Sequence, residues 1–491
     1  MTGPAGGGGA TGRPEALRAA ALSAAVKAAE ACRSDMHHYD PVVNEFAHRA
    51  VDFALRRVGA DAEAGGISLG HPRSPEELDA MAGRTITPEG LGEDATLAVF
   101  TDVLEPACLS TDYTRYFAFI PAAPTEASII GDLVVSACSI YAGSWLEGGG
   151  AVWAENQALR YIADLAAMPA EAGGCFVSGG TMGNLSALVA ARTAAETRMA
   201  GSPVARWVVI AGENAHSSIA TAVHVMGAEL VTVPNAGGRK FTGAALAPVL
   251  ERYRDRCFAV VATAGSTNLG VVDDLASVAD VCEANGAWLH VDGAYGGAAM
   301  AAPSARWRFE GIERVDSLIV DPHKWLFAPF DACALLYRDP AQARQAHAQH
   351  ASYLDILTSS GDWNPSDYAV HLSRRARGVP FWFSLAAYGT NAYAEAIEAC
   401  LATARAAAEL VKDAAHLELV MDPELSVIMF RRTGWETKDY MDWSLQMLHD
   451  QEAFVVPSSH EGGPVLRICI VNPRTSVDDI RTVIASLDRG D

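Results

Sequence analysis

Short, mostly apolar runs alternate with longer amphipathic segments through the middle of the chain. The amphipathic segments at 182–198, 244–254 and 276–284 have helical length and repeat apolar residues at three- and four-residue steps. Runs that are apolar on both faces and separated by helices are typical of a parallel sheet covered on both sides. The pattern therefore predicts an α/β domain with a mostly parallel sheet. Its predicted strands are 175–178, 207–211, 230–233, 258–262, 288–291, 317–320 and 333–337.

Helical periodicity dominates both ends of the chain. The stretch before residue 106 is mostly helical, and its apolar faces need a partner. After Pro380 a long helical stretch leads into short apolar runs at 426–431 and 465–471 and a last helix near 477–487. The pattern predicts a Gly-rich disordered tail, an N-terminal helical segment, the α/β domain and a smaller C-terminal α+β domain. The predicted bounds of these four parts are 1–13, 14–105, 106–385 and 386–491.

Composition narrows the range of partners. The 491 residues include 37 Lys and Arg against 59 Asp and Glu, which gives a net charge of −22. Nucleic acid and anionic membrane surfaces bind clustered positive charge, so neither is expected as a partner. The nine cysteines include no C-x-x-C pair, which predicts reduced thiols, no metal site and a cytoplasmic location. The apolar stretch 129–141 contains Asp132 and is too short to span a bilayer, so no membrane segment is expected.

Glycines follow the first predicted strand, where the next predicted helix begins. Gly179, Gly180 and Thr181 stand at this boundary. Glycine lets the backbone approach a ligand closely, and the free N–H groups at a helix start favour an anion. The hydroxyl of Thr181 adds a donor. The sequence therefore indicates a phosphate site, although a tight strand-to-helix turn explains the same glycines without a ligand.

Polar residues also follow the later predicted strands. His216 and Thr263 follow the second and fourth strands, Asp292 follows the fifth, and His323 and Lys324 follow the sixth. A lone histidine at a loop boundary is more often a surface or capping residue. A carboxylate at the end of a buried strand, however, is costly unless a cation or hydrogen bonds compensate it. Because ligands bind where the carboxyl ends of parallel strands meet, these residues together predict one site.

Two ordered motifs carry a resemblance to a known family. Residues 290–297 read His-Val-Asp-Gly-Ala-Tyr-Gly-Gly, and residues 316–325 read Asp-Ser-Leu-Ile-Val-Asp-Pro-His-Lys-Trp. They resemble the pyridoxal-5′-phosphate (PLP) dependent group II amino-acid decarboxylases, the family of aromatic-amino-acid and glutamate decarboxylases, over about residues 116–389. The resemblance implies a fold type I α/β enzyme with PLP as cofactor and an amino acid as substrate. It also implies a homodimer whose active site lies near the subunit interface, with residues 14–105 in the dimer contact.

The resemblance also implies roles for individual residues. Lys324 would bind the cofactor as a Schiff base, and burial is expected to keep part of its amine neutral. Asp292 would pair with the protonated pyridine nitrogen, and His216 would stack on the ring. The sides of the ring would lie against Thr263 and Ala294, and the phosphate would be held by Gly179, Gly180, Thr181 and Ser317, with His323 nearby.

Two features depart from the family's pattern. The family's mobile loop carries a tyrosine that returns a proton after CO₂ leaves. Tyr353 and Tyr368 lie in the corresponding span, 349–374, but neither aligns with that position, so each is equally explained as an ordinary loop residue. If neither reaches the site, His216 or water must supply the proton, or a reaction with oxygen gives an aldehyde. Asp321 stands where aromatic-amino-acid decarboxylases commonly carry Asn, and its charge should disfavour a dianionic phosphate.

Aromatic residues point to the substrate class. Tyr116, Phe117, Phe119 and Trp145 lie in the segment that lines the substrate pocket of the resembling enzymes, although aromatic residues are also common core fillers. An aromatic wall favours Trp, Tyr or Phe, decarboxylated to the amine plus CO₂. The alternatives are an oxidative deaminase that yields an aldehyde and a decarboxylase of glutamate or aspartate. Arg467 does not discriminate between them. A non-catalytic scaffold is disfavoured because a binding protein needs no electron sink.

Overall fold

The computed structural model describes residues 12–31, 44–59, 67–199, 204–235, 237, 239–349 and 363–488. The predicted tail, apart from its last two residues, lies outside this described part of the chain, and so does Tyr353.

All seven predicted central strands form, and they make one sheet in the order β1-β7-β6-β5-β4-β2-β3. β7 pairs antiparallel with both β1 and β6, while the other strands run parallel to one another. Every residue of β2, β4, β5, β6 and β7 is buried, as expected when helices cover both faces. The strands are β1 Gly173–Val177, β2 Val208–Gly212, β3 Glu229–Val233, β4 Cys257–Thr263, β5 Trp288–Asp292, β6 Ser317–Val320 and β7 Cys333–Tyr337.

Side chains at the helix starts satisfy backbone N–H groups that have no partner inside the helix. Ser74 and Glu77 form a reciprocal capping box, and Thr125 accepts a hydrogen bond from the backbone of Ser128. The long helix α12 is interrupted at Gly389, where φ is 78°. The helices are α1 Gly12–Ala31, α2 Glu45–Val58, α3 Pro75–Ala82, α4 Glu93–Val99, α5 Glu126–Cys138, α6 Trp145–Leu165, α7 Gly180–Arg198, α8 Ser217–Val225, α9 Gly243–Tyr253, α10 Leu275–Asn285, α11 Pro340–His347, α12 Val379–Asp413, α13 Thr437–His449 and α14 Val477–Ser486.

A second, antiparallel sheet lies in the C-terminal part, in the order β10-β11-β9-β8. Its strands are β8 Leu417–Leu419, β9 Val427–Arg432, β10 Ser458–His460 and β11 Gly463–Cys469. The apolar pattern predicted β9 and β11 but not β8 and β10, because three-residue strands are too short to show a period. The backbone of Phe117 bonds to Phe454 and Cys469, so the segment before α5 pairs with this C-terminal part. The predicted division into domains stays a prediction.

The N-terminal helices bury little surface within one chain. α2, α3 and α4 contain no buried residue, and the described side chains of α1, residues 18–28, are all exposed. Large apolar side chains are also exposed on α5 and α6, namely Leu133, Val134, Leu146 and Trp153. In the described residues, no helix has both the length and the apolar character needed to cross a membrane.

Candidate active site

A cavity of about 500 Å³ lies where the carboxyl ends of the parallel strands meet. The loops after β1, β2, β4, β5 and β6 each contribute to its lining, as expected for an α/β sheet. A larger cavity of about 790 Å³ between α2, α5 and α12 has no lysine or histidine among its described lining residues. The smaller cavity contains nine of the predicted site residues, which are Gly179, Gly180, Thr181, His216, Thr263, Asp292, Ala294, His323 and Lys324.

The start of α7 forms one end of the pocket. Gly179 precedes the helix and has no side chain that could cap it. The first backbone N–H groups of α7 therefore face the cavity without a hydrogen bond to that residue. A Cβ atom on Gly180 would lie 3.2 Å from Asp321 Oδ2 and 3.4 Å from Ala294 Cβ, so the backbone is close to the opposite wall. Free N–H groups at the start of a long helix fit a phosphate group.

The loops after β4 and β5 meet at a second glycine. Gly265 has a φ of 104°, and a Cβ atom there would lie 2.7 Å from Gly296 Cα. Only glycine allows both this conformation and this approach. Thr263 ends β4 and Asp292 ends β5, and the two residues are paired in the sheet. The close contact of the two loops keeps them side by side.

Lys324 forms an ion pair inside the pocket. Its Nζ lies 3.0 Å from Oδ2 of Asp321, and the two side chains are 24% and 1% exposed. Burial alone would lower the pKa of Lys324, but the carboxylates of Asp321 and Asp292 outweigh burial and raise that pKa above its usual value. Burial alone therefore does not decide the charge of Lys324, because the two carboxylates favour its ammonium form. Burial would raise the pKa of Asp321, but Lys324 and His323 lower it.

Asp292 and His216 face the pocket from neighbouring elements. Asp292 Oδ1 accepts a hydrogen bond of 3.1 Å from the backbone of Ala294, and Oδ2 accepts one of 2.9 Å from the amide of Asn184. His216 caps the start of α8, where its Nδ1 accepts from the backbone N–H of Ser218 at 3.2 Å. These bonds hold both side chains in fixed orientations.

Ser317 does not reach the pocket, which corrects its predicted contact with phosphate. It is the first residue of β6, at the far end of the strand from Lys324, and it is fully buried. A four-residue strand separates its ends by roughly 10 Å. Its hydroxyl lies 2.8 Å from both Trp288 Nε1 and His290 Nδ1.

Tyr368 does not reach the pocket either. It is 4% exposed, and its ring stacks on Trp363 with the centroids 4.3 Å apart. Its carbonyl accepts a hydrogen bond from the hydroxyl of Tyr337 on β7. Burial raises the pKa of Tyr368 to about 12. A tyrosine in this position packs in the core and cannot supply a proton to this chain's own site, so the prediction for Tyr368 is wrong.

The four predicted aromatic residues do not line this cavity. Tyr116 packs edge-on against Phe454 with centroids 5.1 Å apart, and Phe117 is 1% exposed in the core. Trp145 starts α6 and Phe119 is 61% exposed, but neither belongs to the lining. The assignment of these four residues to the substrate pocket stays a prediction. The residue after Phe119 does line the pocket, together with Tyr295 and Phe330.

Asn184 and Ser218 are among the polar lining residues that the sequence analysis did not assign. Asn184 lies one helical turn after Gly180, so it faces the same strand ends as the start of α7. Its place in the glycine-rich motif was a usable signal. The hydroxyl of Ser218 follows His216 by two residues and is 3% exposed. Because the same short segment contains a second serine, the sequence gave no reason to choose one serine over the other.

The sheet, the helix start and the lysine with its carboxylates together define a fold type I PLP enzyme. The chemistry of the donor set fits this cofactor: N–H groups for a phosphate, a lysine for an aldehyde and a carboxylate for a pyridine nitrogen. A family model described as the pyridoxal-dependent decarboxylase conserved domain matches residues 75–433, and the chain therefore belongs to this family. It is a PLP-dependent amino-acid decarboxylase.

Individual relatives agree with this membership. The chain is 28% identical to aromatic-L-amino-acid decarboxylase of Bacillus atrophaeus, over 77% of this chain and 81% of that protein. It is 30% identical to L-2,4-diaminobutyrate decarboxylase of Rhizobium meliloti (strain 1021), over 73% of this chain and 74% of that protein. The crystal structure of Oryza sativa TDC with PLP and tryptamine superposes with a TM-score of 0.84 at 25% identity, and the match covers 92% of this chain and 98% of that one.

The ion pair of Lys324 leads to a prediction for cofactor loading. Only a neutral amine attacks the aldehyde of free PLP, and Asp321 favours the ammonium. An opposite charge this close shifts a pKa by about 1–3 units. Because each unit is a factor of ten in the neutral fraction, Asp321→Asn should speed loading by at least about tenfold at neutral pH.

The test is to mix cofactor-free protein with PLP at several pH values and follow the visible absorbance. The wild-type rate should rise with pH towards the raised pKa of Lys324, and the profile of Asp321→Asn should move to lower pH. Asp331→Asn is the matched control, because Asp331 also lines the pocket but pairs with Arg377. Coincident profiles for wild type and Asp321→Asn would contradict the prediction.

Proposed function

We propose that this enzyme decarboxylates an aromatic L-amino acid to the corresponding amine and CO₂. The observation that carries the proposal is the extended similarity to an aromatic-L-amino-acid decarboxylase and to a tryptamine-bound structure, which includes the strands that carry the pocket. The described pocket adds apolar surface from Ile120, Tyr295 and Phe330. The Phe330 ring is 56% exposed and lies 5.0 Å from the ring of His323, so it is available to a flat substrate side chain.

The charges of the pocket disfavour an acidic substrate. Asp292, Asp321 and Asp331 line the cavity, and no arginine does so among the described residues. A glutamate or aspartate side chain would meet these carboxylates without an arginine to pair with, which is unfavourable in a partly buried site. Arg467 is 5% exposed and donates to the carbonyls of Thr267 and Phe119.

A short substrate with a cationic side chain is the second candidate. Asp331 stands at the pocket, and the relative that acts on L-2,4-diaminobutyrate is 30% identical. An ammonium group near Asp331 would gain an opposite charge. Arg377, however, already holds that carboxylate at 2.9 Å, which leaves the aromatic assignment first.

Four parts of the pocket have proposed roles in this reaction. Bound PLP supplies an electron sink for the bond between Cα and the carboxylate. Lys324 holds the cofactor covalently, the start of α7 binds its phosphate, and Asp292 keeps its ring nitrogen protonated. His216 forms a rigid wall that orients the substrate. The returning proton comes from Tyr353, which lies outside the described residues, or from His216 or water.

The proposal includes a homodimer. Exposed apolar residues on α5 and α6, together with N-terminal helices α2 and α3 that contain no buried residue, leave surface for a second copy. Light scattering should give about twice the chain mass of 51.8 kDa, and a monomer would contradict this part of the proposal.

Product analysis by mass spectrometry tests the reaction. Purified protein with PLP is incubated with a panel of aromatic, acidic and diamino acids, in air and under nitrogen. An amine from Trp, Tyr or Phe in both atmospheres is the expected result. Turnover of diaminobutyrate alone would favour the second candidate, and turnover of glutamate or aspartate would refute the pocket-charge argument. If an aldehyde and peroxide formed, and only in air, the activity would be oxidative deamination instead of the proposed one.

A further inference from the structure

A chain of buried hydrogen bonds runs behind the pocket and ends at both Asp292 and His216. We infer that Asn184 is a positioning residue that joins these two side chains: His290 and Asp292 hold its amide in one orientation, and through Ser218 it supports the form of His216 that carries its proton on Nε2. The inference rests on the roles proposed above for Asp292 and His216. The bonds that carry it are all 2.8 to 3.2 Å long.

The direction of the far end of the chain follows from the amide of Asn184, whose nitrogen faces the Asp292 carboxylate and whose oxygen faces Nε2 of His290. Nε2 of His290 therefore carries a proton. The indole N–H of Trp288 donates to the Ser317 hydroxyl at 2.8 Å, and that hydroxyl lies 2.8 Å from Nδ1 of His290, to which it donates when Nδ1 carries no proton. His290 is fully buried, and burial lowers its pKa to about 4, although the nearby Asp292 opposes the change. His290 is thus neutral near pH 7, with its single proton on Nε2.

Asn184 accepts a hydrogen bond from that proton with its oxygen and donates two hydrogen bonds with its nitrogen. Nε2 of His290 donates to Oδ1 of Asn184 at 2.8 Å. The amide nitrogen of Asn184 then donates to Oδ2 of Asp292 and to the Ser218 hydroxyl, each at 2.9 Å. A carboxylate accepts only, so the Asp292 bond independently selects the same orientation of the amide. Both hydrogens and the oxygen of the side chain are engaged.

The near end of the chain fixes His216. The backbone N–H of Ser218 can only donate, and it donates to Nδ1 of His216 at 3.2 Å. The Ser218 hydroxyl accepts from Asn184 and lies 2.9 Å from the same Nδ1, to which it donates its own hydrogen. A ring nitrogen that faces two donors carries no proton, so His216 is neutral with its proton on Nε2. The pocket side of His216 therefore presents an N–H donor rather than a base.

Burial makes this arrangement costly to reverse. Asn184, His290 and Ser317 are fully buried, and Ser218 is 3% exposed. Turning one member round would place two donors or two acceptors against each other without water to compensate them. The chain therefore keeps Asp292 hydrogen-bonded and His216 in one protonation state, whatever ligand occupies the pocket.

The experiment compares Asn184→Asp and Asn184→Leu with wild type in cofactor affinity, measured by visible absorbance without substrate. Both variants lose the donor to Asp292, and a hydrogen bond to a charged group corresponds to about 10- to 100-fold in the dissociation constant. Asn184→Asp also sets a second carboxylate against Asp292, so it should weaken binding more than Asn184→Leu does. If Asn184 only filled space, Asn184→Leu would match wild type because leucine has a similar branched shape and carries no charge. That result would overturn the inference.

Ser186→Ala is the matched control. Ser186 is buried on the same helix, but its hydroxyl accepts from the backbone of Val370 and does not touch the chain. Its cofactor affinity should equal that of wild type. A loss as large as that of Asn184→Asp would mean that any polar loss in α7 disturbs the site, and would refute a specific role for Asn184.

The wild-type protein gives a test that no folding defect can obscure. Nitrogen NMR of ¹⁵N-histidine-labelled protein, with His216 and His290 assigned from their glutamine variants, should show both rings neutral with the proton on Nε2. A proton on Nδ1 of His216 would overturn the inference. These readouts need no substrate, so they can succeed even if the proposed aromatic decarboxylation fails.

Discussion

Lys324→Ala is expected to eliminate covalent cofactor binding and to lower decarboxylation by at least about 10²-fold, because the cofactor is then no longer held in a fixed position. Lys324 is the single described lysine in the pocket, and its Nζ lies among groups that fit the rest of the cofactor. The variant also leaves the Asp321 carboxylate buried without its partner, which destabilises the empty site. The residual activity should therefore fall even when PLP is present in excess.

Borohydride reduction followed by peptide mass spectrometry measures the covalent link directly. In wild type the reduced cofactor should be found attached to the peptide that contains Lys324. In the variant this modified peptide should be absent, and so should the visible absorbance. Lys240→Ala is the control, because Lys240 pairs with Glu424 and lies outside the pocket lining. Reduced cofactor attached to a different lysine of the wild-type protein would refute the assignment of Lys324.

Asp292→Asn is expected to cost about 10- to 1,000-fold in kcat while the protein still binds PLP. The amide keeps the shape of the carboxylate but loses its charge, and a neighbouring charge shifts a pKa by about 1–3 units. The ring nitrogen would then lose its proton at neutral pH, and the electron sink would weaken. The pH profile of kcat should show the remaining activity rising as pH falls, because acid restores that proton.

A chemical rescue separates this role from a structural one. PLP methylated at the ring nitrogen carries a permanent positive charge and needs no protonation. Reconstitution with this analogue should restore much of the activity of Asp292→Asn relative to the same variant with PLP. Equal activity of the variant with both cofactors would show that Asp292 acts on something other than the ring nitrogen.

The sequence predicted the central sheet well because burial on both faces leaves an unmistakable apolar run. It missed β8 and β10, whose three residues are held by pairing with longer neighbours rather than by their own pattern. The pocket was predictable wherever the sequence showed the carboxyl end of a strand. Asp292 and Lys324 follow such ends, and they meet.

The rest of the site depends on information that the strand pattern does not contain. Ser317 begins its strand, so the rule that located Lys324 could have excluded it. The aromatic residues near Tyr116 and Phe117 pack against the C-terminal part, a contact between segments more than 300 residues apart. The raised pKa of Lys324 depends on the distance to Asp321, since burial alone acts in the opposite direction.

The one-way order of donors from Trp288 to His216 limits how this sequence can change during evolution. A single replacement at Asn184, Ser218 or His290 leaves a buried donor or acceptor unmatched, at a cost of about 1–3 kcal/mol. Substitutions at these positions should therefore co-vary among relatives, in sets that restore matched partners. A position such as Ser186, outside the chain, should vary independently of them. Pairwise covariation would then trace the second layer of the active site through residues that never touch the substrate.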